Sequence, residues 1–177
     1  MNEAIIHVEG LMKNFKQQRA LDGLTFSVPQ GSICGFLGRN GAGKTTTIKA
    51  MLGMLRPSAG SMRIFGLDAA DLEASVAIRQ RTGFVTEIKE FYPYMTVEQM
   101  ISFTRPFYKK TWDHALEREF LSRFELPLKK KVTKLSKGMR TQLAILLAVA
   151  RNTELVIMDE PTEGLDPFLV EETLRMP

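Results

Sequence analysis

Cysteine is almost missing from this sequence: Cys34 is the only one in 177 residues. A single thiol excludes an internal disulfide framework and fits a reducing compartment. Histidine is nearly as scarce. His7 and His114 have no ligand-like company, so both read as incidental. Long apolar runs are also lacking. The longest, residues 143–150, falls far short of the ~18 residues of a membrane span. The opening stretch MNEAIIHVEG shows neither the basic nor the apolar region of a secretory signal. No sign of charge dominates: Lys plus Arg is 24 against 20 for Asp plus Glu, a net charge of +4. The densest basic run, Lys129, Lys130 and Lys131 with Lys134 and Lys137 nearby, reads as a solvated loop rather than a nucleic-acid stripe. These absences predict a soluble cytoplasmic protein with no nucleic-acid partner, still able to dock on a membrane protein.

Apolar residues make up 44% of the chain, an ordinary globular share, and the length suits one domain with a sizeable core. Residues 4–8 and 21–28 read as strands. The apolar run SICGFL, residues 32–37, suits a buried strand, and residues 45–55 follow at helical spacing. A turn cluster at 56–61 leads to a short strand at 62–65. Residues 72–79 read as a helix and 83–86 as another apolar strand. The character then changes. Thr96, Val97, Glu98 and Gln99 form a capping box opening a helix to about Tyr108. A second helix spans 113–124, and Ser136 caps a third through GMRTQLAILLAVA. Its face of Met139, Leu143, Leu146, Leu147 and Ala150 reads as core. Residues 155–158 are the last strand, and Pro167 opens a final helix. No internal repeat or low-complexity segment is present.

GRNGAGKT, residues 38–45, matches the phosphate-loop pattern between a predicted strand and a predicted helix, the context that confirms it. Gly38, Gly41 and Gly43 let the backbone turn sharply and leave its N–H groups bare. Those donors cradle an anion, and the helix N-terminus adds its positive end. Lys44 is then placed to neutralise the outer phosphates, and Thr45 to offer a hydroxyl to Mg²⁺. Arg39, Asn40 and Ala42 fill the variable positions, and Thr46 follows at the helix start. A ligand-free glycine turn is the bland alternative; the flanking strand and helix decide against it. ATP and Mg²⁺ are the expected ligands.

LVIMDE, residues 155–160, reads as a buried strand delivering acids at its C-terminal end, where open α/β sheets hold ligands. Asp159 is then positioned to hold Mg²⁺ directly or through water. Glu160 is the candidate to orient and polarise the water attacking the γ-phosphate.

With these motifs in order, the whole chain resembles the ATP-binding cassette (ABC) family. KLSKGMR, residues 134–140, is similar to the family signature, and EGLDP to its D-loop, with the acid at Asp166. The resemblance implies that Phe15 stacks on adenine and that Glu87, where the family usually has glutamine, touches Mg²⁺ and senses the transporter. It implies that Ser136, Lys137 and Gly138 of one subunit face ATP held by another, in a head-to-tail dimer with Asp166 near the seam. Lys137 and Met139 depart from the signature, and with Glu87 they look like marks of bacterial exporter-type subunits. Phe91, Tyr92, Tyr94, Phe103, Phe107, Tyr108 and Trp112 fit equally well a helical core or, as the resemblance implies, the groove receiving a membrane subunit.

The implied fold is α/β, a P-loop NTPase (RecA-like) core with an N-terminal antiparallel β subdomain and a helical insertion. The division expected is 1–86 for the β subdomain and phosphate-loop core, 87–151 for the helical subdomain, and 152–177 for the acid-bearing strand, D-loop and following helix. The family has one more strand beyond the D-loop helix, lying between those ending at Leu37 and Met158, and a further histidine on the loop after it. Neither histidine here can be that residue. The core sheet is therefore expected to be incomplete at the C-terminus, the chain a fragment of a longer protein, and the isolated polypeptide marginal or unfolded. The implied function is the ATP-hydrolysing subunit of an export transporter, peripheral on the cytoplasmic face of the membrane. Nucleotide binding without efficient turnover, and a soluble non-transport ABC-type ATPase, are the alternatives.

Overall fold

The computed structural model of the chain describes residues 3–16, 18–87 and 89–159. They fall into two compact units, Met1–Arg81 and Thr82–Pro177. The first is built on a hairpin, β1 (Ala4–Phe15) and β2 (Gln18–Pro29). With β3 (Ala59–Ile64) and β4 (Leu67–Asp68) it forms an antiparallel sheet in the order β2-β1-β3-β4. Val8, Leu11, Leu21, Met62 and Ile64 are buried, while His7 and Glu9 alternate outward, the two-residue period of a half-buried strand. Both hairpin strands run longer than the sequence suggests. Register shifts between Val8 and Leu11, and again near Lys13, break the alternation while pairing continues.

Two helices complete this unit, α1 (Lys44–Met51) and α2 (Leu72–Gln80). Asp71 caps α2 by accepting the Ala74 N–H at 2.8 Å. The expected strand at 32–37 is not found. Residues 32–39 carry no strand assignment, and Ile33 and Leu37 are 78% and 93% exposed. A strand needs a neighbour for its backbone groups, and among the described residues none pairs with this segment. One ring anchors it: Phe36 packs on Phe26 at 5.5 Å between centroids.

The second unit opens with β5 (Thr82–Val85), which pairs in parallel with β6 (Leu155–Met158) in the register Thr82–Leu155 to Val85–Met158. The chain between them is helical: α3 (Val97–Thr104), α4 (His114–Phe124) and α5 (Lys137–Val149), with 3₁₀ turns at Arg105–Tyr108 and Val132–Lys134. The capping box at Thr96 and Gln99 forms in both directions, at 3.2 and 2.9 Å. Pro106 lies in the first turn of the 3₁₀ segment, so the helix expected to reach Tyr108 stops being α-helical at Thr104. α5 is the centre of the core. Leu143, Ile145 and Leu146 are fully buried, with Val97, Phe120 and Val132 around them. Each such side chain contributes roughly 1.5–3 kcal/mol by burial. α5 is buried on more than the one face expected, since Thr141, Gln142 and Ala148 are buried as well.

Candidate functional site

The phosphate loop joins the segment 32–37 to α1. Gly41 and Gly43 both have positive φ, +82° and +92°. At Gly43, the N-cap of α1, an added Cβ would lie 2.6 Å from Leu21 Cδ2 and 2.7 Å from the Ala20 carbonyl oxygen. At Gly41 a Cβ would meet nothing within 4 Å. One glycine is thus demanded by close packing on β2, the other by backbone conformation alone. The Ala42 N–H donates to Arg39 O at 3.0 Å and closes the turn. Residues 38–42 are exposed, while Lys44, Thr45 and Thr46 are half-buried. The Lys44 ammonium folds back across the loop and donates to Gly38 O at 2.8 Å. α1 has no acid in its first turn, so nothing there offsets the positive end of the helix. Below the loop, buried Thr47 donates through Oγ1 to Gly43 O at 2.9 Å. Phe15 ends β1 in the same unit, 46% exposed, with the Lys13 ammonium 5.2 Å from its ring centroid.

The second unit holds the other candidates. Asp159 follows β6 directly, is 4% exposed, and donates its backbone N–H to Val85 O at 2.9 Å. That bond extends the ladder and fixes the carboxyl at the C-terminal edge of the two-stranded sheet. Among the described residues no donor is recorded on the Asp159 carboxylate, which leaves its oxygens available to a cation. Glu87 lies two residues past β5 at the same edge and is exposed. No group of three or more His, Cys, Asp or Glu that could hold a metal occurs among the described residues. Glu160 and Asp166, with the helix expected from Pro167, lie outside them.

Ser136 is the N-cap of α5 and accepts the Met139 N–H at 3.1 Å. Ser136 and Lys137 are exposed and Gly138 is half-buried, so the start of α5 is accessible while its body is core. The aromatic group divides between its two readings. Trp112 is buried, and Phe91 and Tyr108 pack on the core. Tyr92, Tyr94, Phe103 and Phe107 are 39–70% exposed, and their rings touch in sequence at 5.1–5.9 Å. A cavity of about 200 Å³ is lined by Phe84, Phe91, Thr104, Tyr108, Ala148 and Arg151, among others. The Arg151 guanidinium stacks on Tyr108 at 3.9 Å, and burial pulls its pKa below the usual arginine range. His7 pairs with Ser27 Oγ at 2.8 Å on the surface.

Two supports of the site escape sequence reading. Ala20 and Leu21 of β2 brace Gly43, and only the folded hairpin reveals it. The Arg151–Tyr108 stack joins residues 43 positions apart, with no local signal in either neighbourhood.

The family model described as ABC transporter matches residues 21–163. The chain is 38% identical over 176 residues to the bacitracin transport ATP-binding protein BcrA of Bacillus licheniformis, covering 97% of this chain and 56% of that protein. It is 36% identical over 181 residues to the Nod factor export ATP-binding protein I of Ralstonia nicotianae, covering 97% and 55%. The chain thus spans about half the length of these curated relatives. Among solved structures, an ATP binding subunit of an ABC transporter superposes with a TM-score of 0.81 at 30% identity, covering 96% of this chain and 71% of that one. The cbiO1 protein of Clostridium perfringens, part of the transporter complex cbiONQ, gives 0.77 at 27% identity, covering 97% and 71%.

Proposed function

The chain belongs to the ABC transporter family, and from that premise we propose that it is the ATP-binding and ATP-hydrolysing part of an export transporter. One observation carries the reading. A bare-amide loop with two left-handed glycines runs into an acid-free helix start, with Lys44 lying across it. That arrangement attracts an anion with several phosphate oxygens. The loop amides of 38–45, with Thr46, hold the phosphates, and Lys44 trades its carbonyl partners for the outer ones. Phe15 offers its exposed ring to the base. The names of BcrA and the Nod factor export protein favour export.

Taken unit by unit, the residues present suit Mg²⁺: Thr45 in the first offers a hydroxyl, and Asp159 in the second offers a buried carboxylate that accepts from no donor among the described residues, with Glu87 at the same strand edge; all are hard oxygen ligands. When bound, the ion neutralises phosphate charge. Glu160 holds the attacking water and draws off its proton as the β–γ bond breaks. Ser136, Lys137 and Gly138, at the accessible start of α5, and Asp166 meet the nucleotide of a second subunit, closing a head-to-tail dimer. The exposed rings of Tyr92, Phe103 and Phe107 meet the membrane-spanning subunit, so the protein works peripherally on the cytoplasmic face. No helix among the described residues is long and apolar enough to cross a membrane itself. Residues 87–151 act as the helical subdomain between nucleotide and partner. In the full-length protein, Glu160→Gln should trap an ATP-bound dimer visible by gel filtration. Turnover equal to the parent would remove Glu160 from the catalytic role.

A further inference from the structure

The 3₁₀ turn Arg105–Tyr108 is held at both ends by charged groups. Glu117, on α4, is only 8% exposed and uses both carboxylate oxygens. Oε1 accepts from Arg105 Nη2 at 2.7 Å, and Oε2 accepts from the buried Trp112 indole N–H at 2.6 Å. His114 Nδ1 lies 3.6 Å from Oε2, too far for a hydrogen bond. At the other end of the turn, Tyr108 lies against Arg151, just beyond α5, and the Trp112 backbone N–H donates to Tyr108 O at 2.8 Å. The Asp113 N–H donates to Ala150 O at 2.7 Å, tying the same loop to the end of α5. Glu117 is buried and Arg105 partly so, and a desolvated ion pair is a poor stabiliser compared with apolar side chains of equal size, so its presence points to the geometry it imposes. That geometry concerns Phe107. It is 70% exposed on the outside of this turn and touches Phe103 edge-on at 5.3 Å.

We propose that Glu117 is a positioning residue: through Arg105 it sets the angle of the 3₁₀ turn, so that the exposed Phe103 and Phe107 rings meet the membrane subunit in one fixed attitude. The inference rests on the docking role given to those rings above.

The test uses the full-length protein, free and reconstituted with its membrane subunit in lipid nanodiscs. Glu117→Gln removes the charge. Arg105→Met cuts the same tether from its partly exposed side. Both should leave turnover of the free subunit within about twofold of the parent and cut its stimulation by the membrane subunit at least about fivefold. Amide exchange over residues 105–112 should rise about tenfold while 143–148 stay protected. Trp112→Phe, which spares the Arg105–Glu117 pair, should keep most of the stimulation. Unchanged exchange in both tether variants, or equal loss of free and stimulated turnover, would overturn the proposal. Stimulation that survives Phe107→Ala sinks the docking reading. Stimulation lost in Phe107→Ala but intact in Glu117→Gln and Arg105→Met sinks the positioning role alone.

Discussion

Residues 38–42 are exposed and offer mainly backbone, whereas Asp159 is 4% exposed and offers one side chain. The loop's geometry comes from glycine conformations and from a single close approach to β2. The acid's geometry comes from a ladder bond to Val85 and a strand backed by α5, whose carbonyl at Ala148 would lie 2.9 Å from a Cβ placed on Gly83. The roles proposed above account for the difference. A polyphosphate has many oxygens and needs many donors that carry no bulk. A cation needs few ligands, and a carboxylate is strongest where water is excluded and the surroundings are rigid. One half is therefore specified by missing side chains, the other by packed ones.

The comparison can be strained first where packing is densest. Phe120→Ala, at a 1% exposed position, should cost about 3–5 kcal/mol in urea unfolding of the full-length protein. A cost under about 1 kcal/mol would mean that the helical core does not support the acid-bearing strand rigidly. Next come the two loop glycines. Gly43→Ala should cost about 2–4 kcal/mol, because conformational strain adds to the clash with Leu21 and Ala20. Gly41→Ala should cost only about 1–2 kcal/mol, since its surroundings are open. Equal costs would break the distinction between packed and free glycines. Ser136→Ala should remove about 1 kcal/mol by stripping the cap from α5.

The smallest effect is acidic. The Leu116 and Ala115 N–H groups hold the Asp113 carboxyl below the usual carboxylate range. A depressed folded pKa gives stability that is complete above the unfolded value, near pH 4, and lost as pH falls through the folded one. Asp113→Asn should flatten that acid limb of a stability–pH curve; an unaltered limb would contradict the cap's titration.

Much of this was legible in the sequence because local chemistry agreed with the final structure. The capping box at Thr96, the cap at Ser136, and the loop between Gly38 and Thr45 all form where residue type requires. The failure at residues 32–37 has the opposite cause. An apolar run announces burial, but a strand exists only with a partner, and partnership is not written in the run itself. The hairpin was read short because its register shifts hide the two-residue period. The Glu117 node was invisible because Arg105, Trp112 and Glu117 meet across a turn, at spacings that match no periodic pattern.

Binding of labelled ATP to the full-length protein, with and without Mg²⁺, tests the division of labour most directly. Lys44→Ala should weaken retention about a hundredfold in both conditions, the loss of charge-assisted contacts to phosphate. Asp159→Asn should keep the Mg²⁺-free affinity of the parent and lose most of the gain that Mg²⁺ brings. Undiminished retention in Lys44→Ala, or an Asp159→Asn protein weakened equally with and without the ion, would contradict the account.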